Sequence, residues 1–224
     1  MNRVTRIDEK VPVRRVLISV SDKTDLELLV SGLIAVDGLI ICSTGGTYRE
    51  IAAMLGNAAR ERLQQVSDYT GQPEMQGGLV KTLDYRIYLG LLSEPYNVAH
   101  DRDRDRAGAD LIDMVVVNLY PFQAAVSRAG VDAEDARSNI DIGGPCMLRA
   151  AAKSYLRVAA VCDRTDYHAI VDELARNDGA TLLETRYRLA RKAFSHTAEY
   201  DRAIADYLSR QAAADAASAY EVMT

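Results

Sequence analysis

Apolar positions along the chain follow two periods. Arg15-Val-Leu-Ile-Ser-Val20, Gly38-Leu-Ile-Ile-Cys42, Asp113-Met-Val-Val-Val-Asn118 and Val158-Ala-Ala-Val-Cys162 are short runs, mostly apolar and rich in β-branched residues. Such runs predict strands buried on both faces. Between them the apolar positions recur at helical spacing. Leu26, Leu29, Val30 and Leu33 follow the helix-start signature Ser21-Asp-Lys-Thr24, and further helices are expected over 48–55, 122–128 and 146–153. From Tyr167 onward the pattern is helical, with one or two long helices over 182–209 and an Ala-rich tail. This alternation predicts an α/β fold, a mostly parallel sheet flanked by helices with a C-terminal helical extension. Weaker stretches lie between. Residues 69–78 read as loop, 79–92 as a strand with a bend, and the alternating charges of Arg102-Asp-Arg-Asp-Arg106 as a solvated surface loop. The folded unit is expected over 13–208, with 1–12 and 209–224 as flexible ends.

Composition narrows the classes. The 224 residues suit one large domain, 48% of them hydrophobic and 26% charged. The net charge of -5 demotes a nucleic-acid binder, although local cations and backbone amides can still hold a small anion. No apolar run is long enough for a membrane span, and residues 1–12 carry no apolar signal region, so a cytosolic protein is expected. The three cysteines (Cys42, Cys146, Cys162) are scattered and imply no disulfide framework. His100, His168 and His196 have no zinc-ligand spacing, so no metal is expected.

Candidate chemistry gathers where strands end, the edge at which open α/β sheets bind ligands. Ser19-Val-Ser-Asp-Lys-Thr24 reads either as a phosphate site built from hydroxyls, Lys23 and a helix N-terminus, or as a helix cap with Asp22 or Thr24 at the N-cap. Ser43-Thr-Gly-Gly-Thr47 lets backbone amides approach an anion and lacks the lysine ending of an ATPase P-loop; its alternative is a tight turn. Val80-Lys-Thr82 alone reads as a solvated lysine, and Asn118-Leu-Tyr-Pro121 either faces a pocket or makes a turn. Asp141-Ile-Gly-Gly144 with Arg149 and Lys153 admits an acid–lysine proton shuttle or a capping loop with a surface lysine. Cys146 reads as a buried structural cysteine and His196 as a packing or capping residue.

Taken in order, ten segments resemble one family. They are Ser19-Val-Ser-Asp-Lys-Thr24, Ser43-Thr-Gly-Gly-Thr47, Val66-Ser-Asp-Tyr-Thr-Gly71, Pro73-Glu-Met75, Val80-Lys-Thr-Leu83, Val116-Val-Asn-Leu-Tyr-Pro-Phe122, Asn139-Ile-Asp-Ile-Gly-Gly-Pro145, Arg149-Ala-Ala-Ala-Lys153, Leu183-Glu-Thr-Arg186 and Lys192-Ala-Phe-Ser-His-Thr-Ala198. Over residues 13–208 the chain resembles the IMP cyclohydrolase domain of the bifunctional AICAR transformylase/IMP cyclohydrolase family. The resemblance implies a methylglyoxal-synthase-like fold and closure of the formamido-imidazole carboxamide ribonucleotide (FAICAR) to IMP in purine biosynthesis. It implies no metal or organic cofactor, a homodimer, no nucleic-acid or membrane partner, and a separate enzyme supplying FAICAR.

Matching positions carry the implied roles. Lys81, Tyr120, Asp141 and Lys153 match the catalytic group. Ser21, Asp22, Lys23, Ser43, Thr44, Gly45, Gly46 and Thr47 would hold phosphate and ribose. Thr82, Asn118, Ile142 and Gly143 match ligand-contacting positions. The chain departs from the pattern at Leu79, where the family has a ligand-contacting arginine, at Asp84 and Tyr88 in place of histidines, and at Tyr85 in place of a proline. Ser154-Tyr155 also replaces an Asn-His pair. Arg86 is a candidate to compensate for Leu79. Leu79 motivates an alternative, a purine-nucleotide-binding regulatory relative without turnover. A methylglyoxal-synthase-type lyase is disfavoured because no histidine lies near either glycine loop.

Overall fold

The computed structural model describes residues 3–73 and 81–223. Five parallel strands form the central sheet: β2 (Arg15–Val20), β3 (Ile40–Ser43), β4 (Leu63–Gln65), β5 (Met114–Asn118) and β6 (Ala159–Val161), in the order β4-β3-β2-β5-β6. β1 (Lys10–Pro12) and β7 (Ala180–Leu182) make a separate antiparallel pair. The helices are α1 (Leu26–Ile34), α2 (Gly45–Leu55), α3 (Ala59–Arg62), α4 (Val66–Thr70), α5 (Tyr85–Leu92), α6 (Val98–Ala107), α7 (Phe122–Val126), α8 (Ala133–Ser138), α9 (Gly143–Lys153), α10 (Tyr167–Arg176), α11 (Leu183–Leu208) and α12 (Ala213–Ala217).

Both sheet faces are covered, which explains the unbroken apolar runs. Val16, Ile18, Met114 and Val116 pack on one side with Leu29, Leu33, Ile51 and Ile170 from α1, α2 and α10. Leu17, Val115 and Val117 point the other way, onto Leu91, Met147, Leu148 and Ala151 from α5 and α9, with Ala190 and Ala193 of α11. The alanines of α9 let α11 approach closely, and α11 runs unbroken for 26 residues.

Several elements differ from the sequence reading. The span from 85 to 92 is helix, begun by Asp84, whose side chain accepts from the Arg86 amide at 2.8 Å. The charge run belongs to α6: Asn97 caps it, Gly108 ends it in the left-handed region, and Arg104–Asp101 (2.6 Å) and Arg106–Asp103 pair at i,i+3. This mostly charged helix buries no residue and has no apolar stripe, so periodicity passes over it. Both glycine pairs lie in the first turn of a helix rather than in a loop before it. The N-cap of α1 is Asp25, at φ 61, instead of Asp22 or Thr24. Lys10–Pro12, expected in a flexible end, is held by β7, and Arg186 pins that corner by donating to the carbonyls of Asp8, Thr181 and Tyr155. Residues 74–80, which include Glu74, Met75, Gly78, Leu79 and Val80, lie outside the described residues.

Candidate functional site

The chain winds from β2 outward to β4, then returns across the sheet to β5 and β6. Strand order therefore reverses between β2 and β5, where doubly wound sheets form a crevice at the carboxyl ends. A cleft of about 490 Å³ opens there. Its walls are the ends of β2 and β5, the N-termini of α2 and α9, and Lys81-Thr82. Two helices of 11 residues thus aim their amide ends at one space, an arrangement that favours anionic groups. Lys23 and Lys81 are the cations of the described lining and Asp141 its single acid, so the cleft is locally positive in a chain of net charge -5. A larger cavity of about 740 Å³ lies at the opposite edge of the sheet, but its lining balances five cations with five acids, among them the pairs Arg15–Asp110 (2.8 Å), Arg104–Asp101 (2.6 Å) and Arg157–Asp113 (3.1 Å).

The glycines make room for the reactive side chains. A Cβ on Gly45 would lie 2.9 Å from Lys81 Nζ, one on Gly143 2.6 Å from Thr82 Oγ1, and one on Gly144 2.5 Å from Asp141 Oδ2. Gly45 also has φ +49, a conformation open to glycine at little cost. Lys81 and Thr82 therefore bridge the mouths of α2 and α9, although they lie far from both in sequence.

Asp141 sits between α8 and α9. Its carboxylate accepts from the Gly144 amide at 2.9 Å. Burial raises its pKa above that of an ordinary aspartate, and the neighbouring backbone amides, Gly144 first, hold the rise in check. Tyr120, more than half exposed, and Ile142 stand at the rim.

The first loop is organised by Asn118. Its Oδ1 accepts from Ser21 N (2.6 Å), Ser21 Oγ (3.1 Å) and Asp22 N (3.0 Å), and its Nδ2 donates to Asp22 O (2.7 Å). Asp22 Oδ1 in turn accepts from Thr24 N at 2.9 Å. The amides of Ser21, Asp22 and Thr24 and the hydroxyls of Ser21 and Thr24 are thereby engaged within the turn, so this loop offers a ligand chiefly the Lys23 ammonium. In the second segment, Ser43 Oγ donates to Ile18 O (2.8 Å) and Thr47 Oγ1 to Val20 O (3.0 Å), tying β3 and α2 to β2.

Comparison with known proteins places this architecture. Residues 26–146 match the MGS-like domain, and residues 151–224 match the AICARFT/IMPCHase bienzyme. The chain is 48% identical over 204 residues to the bifunctional purine biosynthesis protein PurH of Bradyrhizobium diazoefficiens, covering 91% of this chain and 37% of that protein. It is 45% identical over 212 residues to PurH of Chlorobium phaeovibrioides, covering 95% and 39%. The chain belongs to the AICARFT/IMPCHase bienzyme family. It spans less than two fifths of the length of these curated PurH relatives. The crystal structure of ForH is also similar, with a TM-score of 0.72 and 31% identity, covering 86% of this chain and 97% of that one. Among the described residues no helix is long and apolar enough to cross a membrane.

Most positions that the AICARFT/IMPCHase resemblance singles out line the cleft: Ser21, Lys23, Thr44, Gly45, Gly46, Thr47, Lys81, Thr82, Asn118, Tyr120, Asp141, Ile142 and Gly143. Three do not. Ser43 is fully buried beneath the cleft, its hydroxyl bonded to Ile18. Asp22 faces the neighbouring cavity and lies 3.8 Å from Arg164. Lys153 is exposed at the last turn of α9, about 15 Å along the helix from the Gly143 end by the rise per residue. Spacing in sequence had paired Asp141 with Lys153, but an intervening helix of three turns separates them. Arg86, the candidate to compensate for Leu79, donates to Tyr69 O at 3.0 Å and is not in the described lining. Sequence reasoning placed Asn139 and Gly144 in its motifs without giving either a role, although both line the cleft, and it missed Tyr200 behind it. Tyr200 sits at helical spacing from Ala193 and Thr197 and reads as packing; only the fold brings it to Asp141.

Proposed function

We propose that the chain catalyses the IMP cyclohydrolase step, closing FAICAR to IMP with loss of water. The observation that carries this reading is the meeting of Lys81, Tyr120 and Asp141 in one locally positive cleft, with Lys81 against the α2 mouth and Asp141 against that of α9. A volume of about 490 Å³ suits a mononucleotide. The phosphate lies at the Gly45–Gly46 amides beside Lys23, and the base lies toward Tyr120 and Ile142.

In the reaction the carboxamide nitrogen attacks the formyl carbon of the same molecule. One C–N bond forms as that nitrogen gives up one of its two protons; the formyl C–O bond then breaks, and the oxygen leaves as water with a second proton taken from the formamido nitrogen, which becomes the C=N nitrogen of IMP. Both reacting groups belong to one substrate, so holding the closing rotamer supplies much of the rate. Asp141 accepts the amide proton, and its raised pKa makes it a better base than an ordinary aspartate. Lys81 and Tyr120 stabilise the developing oxyanion and protonate it. Lys153 has no part in this scheme.

Incubation of the chain with FAICAR tests the proposal. IMP formation above the uncatalysed rate, lost in Lys81→Ala and Asp141→Asn, supports it. Tight IMP binding without turnover would replace it with the nucleotide-binding regulatory reading that Leu79 motivates. A triose-phosphate lyase is disfavoured because the described lining holds no histidine.

A further inference from the structure

We propose that Tyr200 is a positioning residue of this site, its hydroxyl fixing from α11 the turn that carries Asp141. The inference rests on the role given to Asp141 above.

Residues 139–142 form an irregular connection between α8 and α9. The Asp141 amide donates to Tyr200 Oη at 2.8 Å across 59 positions of sequence, and that hydroxyl donates to Asn139 O at 3.3 Å. One side chain therefore grips the turn on both sides of Ile140. Its ring meets Phe122 edge-on, with centroids 6.3 Å apart, and Phe122 is the buried residue two places after Tyr120. Tyr200 thus holds together the two segments that present Tyr120 and Asp141. The hydroxyl is specific to this task. Phenylalanine would keep the ring contact but leave the Asp141 amide and the Asn139 carbonyl without their partner. Burial raises the Tyr200 pKa, so the hydroxyl stays protonated and able to donate at neutral pH.

The test is Tyr200→Phe in the full chain, beside Phe122→Leu, which loosens the ring contact and keeps the hydroxyl. Two readouts are taken. The first is the titration of the Asp141 carboxyl by carbon NMR without substrate, assigned with Asp141→Asn. The second is FAICAR turnover. The expected result for Tyr200→Phe is a folded protein whose Asp141 midpoint falls toward that of an ordinary aspartate, as the released turn takes up water. Its kcat falls about tenfold, the size of one lost hydrogen bond, with KM within about twofold. Phe122→Leu lowers the melting temperature and leaves the Asp141 midpoint in place. An unmoved midpoint in Tyr200→Phe overturns the proposal, as does an equal movement in Phe122→Leu. Failure of Tyr200→Phe to fold also overturns it, because the hydroxyl would then be a global structural element. The titration needs no turnover, so an inactive wild-type chain would remove the cyclohydrolase reading without deciding this one.

Discussion

Asn118→Ala separates two roles for a residue that the family resemblance marks as a ligand contact. In this chain its amide makes four bonds to the Ser21–Asp22 turn, at 2.6 to 3.1 Å. The rim is half-exposed, so water can replace some partners, and each bond belongs at the low end of the usual 0.5–1.5 kcal/mol. Together they come to about 2 kcal/mol, or about 4–8 °C of melting temperature for a chain of this size. Freed from Asn118, the turn samples several conformations and presents Lys23 correctly only part of the time. Affinity for IMP falls by that fraction, roughly tenfold. Calorimetric melting and titration with IMP measure both quantities. A clasp predicts that stability and affinity fall together. Lost affinity at an unchanged melting temperature would make Asn118 a direct ligand contact and refute the clasp. No change in either would remove it from the site.

Three further outcomes follow from the geometry. Gly144→Ala places a Cβ 2.5 Å from Asp141 Oδ2 and 2.7 Å from Leu119 Cδ2; the carboxylate must leave its amide partner, and kcat falls about 10- to 100-fold for a lost charged hydrogen bond, read by FAICAR turnover. The pH–rate profile rises through a limb above the ordinary aspartate value of about 3.9, and Asp141→Asn abolishes it. Stability runs the other way. A raised carboxyl pKa contributes stability in full below the ordinary value, and that contribution is lost as pH climbs through the raised one. The wild-type chain should therefore lose ground to Asp141→Asn across that window in melts at successive pH. Arg157→Met leaves Asp113 Oδ1 and the carbonyls of Leu91 and Ile112 without their buried donor, while Asp113 Oδ2 keeps the Arg14 and Arg15 amides. Urea unfolding should show a loss of about 3–5 kcal/mol, while activity per folded molecule stays intact because the pair lies at the opposite edge of the sheet.

The sheet was legible in the linear chain wherever local chemistry repeats. Four strands of the five-stranded sheet showed as apolar runs because each is buried on both faces, and α1 and α9 showed through their periodic faces. β1, β4 and β7 are three residues long like β6, but each carries polar or partly exposed positions and lacks the unbroken apolar run that marks β6. The glycine pairs marked the edge of the site, but their reason was hidden: each makes room for a side chain that only the fold delivers, Lys81 to Gly45 and Thr82 to Gly143. Which candidate residues meet was likewise a tertiary decision. Asp141 and Lys153 are 12 residues apart in sequence, and α9 holds them at its two ends, whereas Asp141 and Tyr200 are 59 apart and share a hydrogen bond. Sequence records residue type and spacing along one dimension. Convergence at the β2–β5 switch point depends on crossover connections and helix packing, and these exist only once the chain has closed on itself.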